Sequence, residues 1–231
     1  MTSSANLYIM EYMEDRGQKL LKEIVDIYVK TAHPVGSSIL ASSKKFDLSP
    51  ATIRNAMGEL EEQGYITQPH TSAGRVPTTL GYKFYLDNLL SVKNLNDKEN
   101  KELSDAYNKD MRDLAKLLVA KTNLAAIVGF SPTDLYFTGL FNLFSQPEFE
   151  DYKMVLSMTK VVDSLEKAMT SIYPQIDKPI VLIGEDNPFS SDCSVAITPL
   201  KDEKVLAILG PMHMDYNRVL ALLEETVRII K

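Results

Sequence analysis

Two adjoining stretches carry residue types that could do chemistry on a polyanion. SPATIRNAMGELEEQ, residues 49–63, sets Arg54 and Asn55 soon after a Ser-Pro pair. QPHTSAGRVPT, residues 68–78, gathers His70, Thr71, Ser72, Gly74 and Arg75 between Pro69 and Pro77. An Asn carboxamide can pair bidentately with adenine and an Arg guanidinium with guanine, each such pair worth about 1–3 kcal/mol of discrimination. Hydroxyls, small residues that let backbone amides approach closely, and a cation suit phosphate instead. The chemistry implied is recognition of nucleic acid, with one stretch reading bases and the other holding the backbone.

Such a division needs elements that present the two stretches together. Ser49 as N-cap and Pro50 at the first helical position start a helix that ends at Gly64, a residue suited to the left-handed position past a helix end. On that helix Ile53, Ala56, Met57 and Leu60 share the face that must meet a core. Ala51, Asn55, Gly58 and Glu62 lie opposite, flanked by Thr52 and Arg54. Upstream, RGQKLLKEIVDIYVKTA repeats Leu20, Leu21, Ile24, Ile27 and Tyr28 at helical spacing until HPVGS interrupts it. Ser37 is expected to cap a second helix, SSILASSKKF, with Ile39, Leu40 and Phe46 as its apolar contacts. After the third helix a strand-like YIT, the polar loop and RVP form a hairpin. Thr78 then caps a fourth helix, TLGYKFYLDNLL, packing through Tyr82, Tyr85, Leu86 and Leu89. This order predicts a winged helix-turn-helix, with the third helix in the major groove and Arg75 at the tip of the wing. The bland readings are a solvated helix face and a surface β-turn. The placement of the loop directly after this helix favours the wing.

Charge is compatible with this reading only locally. The 231-residue chain has a formal net charge of −6, yet residues 30–85 hold six bases and four acids. Three of those acids, Glu59, Glu61 and Glu62, fall on one short run, so whole-chain charge does not decide the matter. Other chemistries find little support. His33, His70 and His213 are far apart, and no HxxxH or CxxC spacing occurs, so neither a metal site nor a cofactor is expected. Cys193 reads as a small buried residue; a single cysteine excludes an intramolecular disulfide and suits a reducing cytoplasm. No Walker loop, GxGxxG or GxSxG is present, and an enzyme is not expected. GEDNPF, residues 184–189, reads as a turn, with a ligand-lining role as the alternative. No apolar run is long enough to span a bilayer.

LSPATIRNAMGELEEQGYITQPHTSAGRVPTTLGYKFYLDNLL resembles the N-terminal domain of the HrcA family of heat-inducible transcription repressors, with matching positions from Ser49 through Asp87 and in PVGS, residues 34–37. Further on, YFTGLFNLFSQPEF (136–149), VLIGEDNPF, DCSVAITPL and VLAILGPMHMDYNRVLALLEETV are similar to the family's second domain. The resemblance implies an α+β protein: a winged helix-turn-helix domain at 1–90, a linker at 91–100, and a GAF-like domain at 101–231. It also implies a homodimer binding an inverted-repeat CIRCE-type operator in double-stranded DNA, and a GroEL-type chaperonin as partner. The DNA-contacting residues it points to are Ser49, Ala51, Thr52, Arg54, Asn55, His70, Thr71, Ser72, Gly74 and Arg75.

The middle departs from the family pattern. LAAIVGFSPTDLYFTGL passes from the first strand of the GAF-like domain straight to the segment that follows the family's inserted dimerisation domain. The GAF-like domain is therefore expected to be reduced, and dimerisation to use other surfaces. A helix carrying Leu103, Tyr107, Met111, Leu114 and Leu118 could pair with its symmetry mate or could cover its own sheet. The functional alternative is a GAF-like regulator that binds a small molecule or protein, its winged helix serving as an interaction surface.

Overall fold

The helical spacing of Leu20, Leu21 and Ile24 produces α1, Asp15–Thr31, with those three and Val25 buried along one stripe. Ala32, in the left-handed region at φ 52°, ends it. The computed structural model describes residues 15–43, 45–146, 165–171, 173 and 178–230. Contacts divide the chain into two units, Met1–Leu90 and Ser91–Lys231.

In the first unit, α2 spans Ser37–Ser42. Gly36 is its N-cap and Ser37 its first helical residue, so the expected Ser37 cap is corrected. The helix also stops short of the expected SSILASSKKF. The Ser42 and Ser43 hydroxyls donate to the Ile39 and Leu40 carbonyls at 2.8 Å each, satisfying groups that a longer helix would bond itself. Leu40 is buried, whereas Ile39, expected as an apolar contact, is exposed.

Helix α3, Pro50–Glu62, begins as its sequence predicts. Ser49 Oγ accepts the Thr52 amide at 3.2 Å, and Pro50 opens the first turn. Ile53, Ala56, Met57 and Leu60 are buried, and Gly64 follows at φ 79°. Strands β1, Ile66–Thr67, and β2, Val76–Pro77, pair antiparallel. An additional bridge joins Arg75 to Val35, in the turn between α1 and α2. Thr78 then caps α4, Thr79–Phe84, by accepting the Gly81 amide at 3.1 Å, and a wider π turn continues over Tyr85–Leu89. Phe84, absent from the expected packing set, is buried and meets the Tyr65 ring edge-on at 5.2 Å.

The second unit is built on a five-stranded antiparallel sheet in the order β4–β3–β7–β6–β5. Its strands are β3 Ala125–Gly129, β4 Leu135–Thr138, β5 Ile180–Ile183, β6 Cys193–Pro199 and β7 Val205–Pro211. A close turn joins β3 to β4, with the Phe130 amide bonded to the Asp134 carbonyl at 2.9 Å. Strands β3 and β7 are buried along their whole length, because the sheet is covered on both faces. On one side Ile127, Val195, Ile197 and Leu209 pack with Leu143 of α7, Leu140–Phe144, and with Met169 in a helical stretch at 165–171. Cys193 and Phe189 belong to this cluster. The turn at residues 184–186 and the Asn187 side chain, which accepts the Phe189 amide at 3.1 Å, deliver Phe189 to it.

The other side is covered by α6, Met111–Thr122, and α8, Tyr216–Ile230, with α5, Asp97–Lys109, packed on both helices. Ser194 and the Tyr216 hydroxyl lie 2.7 Å apart across that face. The single apolar helix expected over Leu103 to Leu118 is in fact α5 and α6, broken at Asp110. The extended Asp110 backbone interrupts α5, and its carboxylate caps α6 by accepting the Arg112 amide at 3.0 Å. Leu103, Leu114 and Leu118 are buried within their own unit, with α6 packed on β3 and α5 on α6 and α8, while Tyr107 and Met111 are half-buried. Helix α5 starts at Asp97 behind a reciprocal Asn96–Glu99 capping box, so the last four residues of the expected linker 91–100 are already helical.

Candidate nucleic-acid interface

Helix α3 and the β1–β2 hairpin bring the expected site residues to one part of the first unit. Burial of Ile53, Ala56, Met57 and Leu60 turns Ala51, Arg54 and Asn55 outward, where all three are exposed. Among the described residues, Arg54 forms no ion pair and the Asn55 carboxamide no hydrogen bond. Both keep their recognition chemistry available. Ser49 and Thr52 are partly committed: Ser49 Oγ accepts the Thr52 amide and lies 3.0 Å from the Thr52 hydroxyl. Their first task is to cap α3.

The hairpin tip is formed by His70, Thr71 and Ser72, all exposed. The Ala73 amide returns to the His70 carbonyl at 3.0 Å, and Ser72 takes a positive φ of 74°. Gln68, which no sequence pattern singled out, donates from Nε2 to the Ala73 carbonyl at 3.0 Å and braces the turn from inside.

Gly74 and Arg75 are placed differently from expectation. A Cβ at Gly74 would lie 2.5 Å from the Val35 carbonyl carbon and 2.6 Å from that of Pro34. Glycine is therefore needed for the hairpin to lie against the α1–α2 turn, a packing requirement inside the unit. Arg75 is not at the tip. Its amide donates to the Val35 carbonyl at 2.9 Å, and its carbonyl accepts the Val35 amide at 2.8 Å. Its guanidinium donates from Nε and Nη2 to Glu61 Oε2, each at 2.8 Å, and the side chain is 21% exposed. The residue clamps the base of the hairpin to α3.

The clamp also redistributes charge. Glu61 is matched by Arg75 and the exposed Glu59 lies 4.0 Å from Arg16, so two of the three acids near the end of α3 face bases. Lys45 is drawn to Glu23 at 2.5 Å, a hydrogen bond that raises its pKa. Arg54 is left as the unmatched cation of α3, beside a cleft of about 370 Å³ that runs from residues 36–38 to the hairpin. Among the described residues no group of three potential metal ligands occurs, and no helix is long and apolar enough to cross a membrane.

A family model described as the HrcA protein C-terminal domain matches residues 82–220. The chain belongs to the HrcA family. A heat-inducible transcription repressor HrcA of Symbiobacterium thermophilum is 42% identical over 123 residues, covering 50% of this chain and 36% of that relative. The chain thus matches little more than a third of that relative's length. A repressor of the same name from Natranaerobius thermophilus is 26% identical over 322 residues, covering 91% of this chain and 94% of the relative. That alignment is longer than the 231 residues present here, so the HrcA relative carries a long stretch without counterpart in this chain. A crystal structure described as a hypothetical protein shares the mixed α+β fold, with a TM-score of 0.74 at 18% identity and coverage of 94% of this chain and 96% of that one.

Proposed function

We propose that the chain is a DNA-binding transcription repressor of heat-shock genes, acting as a homodimer on an inverted-repeat operator of CIRCE type. The observation that carries this reading is the exposed, uncommitted face of α3, with Ala51, Arg54 and Asn55, beside a hairpin whose tip is polar and exposed. In this reading the first unit is a winged helix-turn-helix and the second a reduced GAF-like domain. Helix α3 enters the major groove of one half-site; the hairpin is the wing and lies on the flanking backbone. Repression follows from occlusion of the promoter. A GroEL-type chaperonin is the partner that keeps the repressor active, a proposal that rests on the family resemblance alone.

The close β3–β4 turn supports the view that the long stretch present in the Natranaerobius relative is an insertion absent from this chain at that point. Electrophoretic mobility-shift titration with an inverted-repeat duplex and a scrambled duplex of equal composition tests the reading. Preference for the repeat by roughly a thousandfold or more is expected at physiological salt. Equal affinity for both duplexes would remove the operator. Absence of any DNA binding would favour the alternative, in which the same face serves a protein partner.

A further inference from the structure

The cleft between α2, α3 and the hairpin contains more polar chemistry than the site residues derived from the sequence. Ser37 and Ser38 line it on one side, Arg54 on another, and Gln68 and residues 72–74 on the third. Ser42, Ser43 and Ser49 in the same unit spend their side-chain oxygens on local backbone groups. Those of Ser37 and Ser38 make no hydrogen bond among the described residues. Among the described residues no carboxylate lines the cleft. Arg75 contributes to its wall but is matched by Glu61, so Arg54 supplies one net positive charge.

We propose that this cleft seats one phosphate of the duplex backbone, with Arg54 as its counter-charge and the Ser37 and Ser38 hydroxyls as donors. The assignment rests on the DNA-binding reading above and deepens it. One unmatched cation, two uncommitted hydroxyls and no acid suit a phosphodiester, which carries one charge and accepts several hydrogen bonds. The contact of the hairpin with Pro34 and Val35, which Gly74 permits, holds the walls of the cleft together. Arg54 then grips the backbone instead of reading a base, and sequence preference falls to Asn55 and its neighbours.

Fluorescence anisotropy of the full chain with the repeat and scrambled duplexes, across a salt series, tests this. Arg54→Ala should weaken both complexes by the same factor, roughly tenfold, the scale of a hydrogen bond to a charged group. It should also lower the slope of log K against log salt by about 0.9. Arg54→Lys should restore the slope. The Ser37→Ala/Ser38→Ala double variant should weaken both complexes with the slope unchanged, since hydroxyls displace no counterion. Thermal melting at the wild-type temperature shows that each variant is folded. Two results overturn the site: Arg54→Ala losing discrimination at one base pair with scrambled affinity intact, or the double serine variant binding as wild type. Wild-type protein binding neither duplex removes the DNA reading and the cleft assignment together, a pattern distinct from both.

Discussion

Asn55 and Arg75, adjacent in function on the sequence reading, do different work in the structure. Asn55 projects free from α3, so Asn55→Ala should cost the operator complex about 1–3 kcal/mol at the base it reads and leave scrambled DNA unaffected. Competition titration against single-base operator variants measures this; uniform weakening on every sequence would exclude a reading role. Arg75 is already matched by Glu61. Arg75→Ala should loosen the hairpin and weaken DNA binding without changing the salt slope. A fall of about 0.9 would make Arg75 a phosphate contact in its own right. The difference was not legible in the sequence, because Glu61 lies fourteen positions away and lacks any local pattern tying it to Arg75. Gly74 misled for the same reason: the surface it lies against is Pro34 and Val35, brought there only by the fold. The caps at Ser49 and Thr78 were legible because donor and acceptor sit within one helical turn.

At the level of elements, patterns that depend on neighbouring residues could be read and breaks that preserve the pattern could not. The buried face of α3 followed from its spacing. The α5–α6 break escaped because Leu103, Tyr107, Met111, Leu114 and Leu118 keep a helical period across it, while the Asp110 backbone does not. Helix α5 is tied to its neighbours by Glu99 with Arg218 of α8 and Glu102 with Lys121 of α6. The Arg218 hydrogen bond holds the Glu99 carboxyl below its usual pKa, and Lys121 does the same for Glu102. A carboxylate depressed in the folded state adds stability that is complete above the unfolded value of about 4.5 and is lost as pH falls through the folded value. Glu99→Gln should therefore lower the melting temperature at pH 7, and its melting curve should converge on that of wild type in increasingly acid buffer below pH 4.5. A deficit that is constant with pH would mean that packing, and not the ion pair, is what the substitution removes.

For the whole molecule, each of the two units has its own buried residues, and Leu103, Leu114 and Leu118 of the apolar stripe are buried inside the second unit. On the proposed reading, a homodimer uses surfaces other than the buried part of that stripe. Multi-angle light scattering at micromolar concentration should give twice the protomer mass; a monomer would undercut two-fold operator recognition. The hairpin has a consequence for any partner it meets. Its two strands pair with each other, and it is fastened to Val35 through two backbone hydrogen bonds and to α3 through Arg75, so its shape is set before an encounter takes place. Few torsions are left to freeze on contact. The entropy lost on association is correspondingly small at this loop, and diffusion and orientation, not local ordering, govern how quickly it engages.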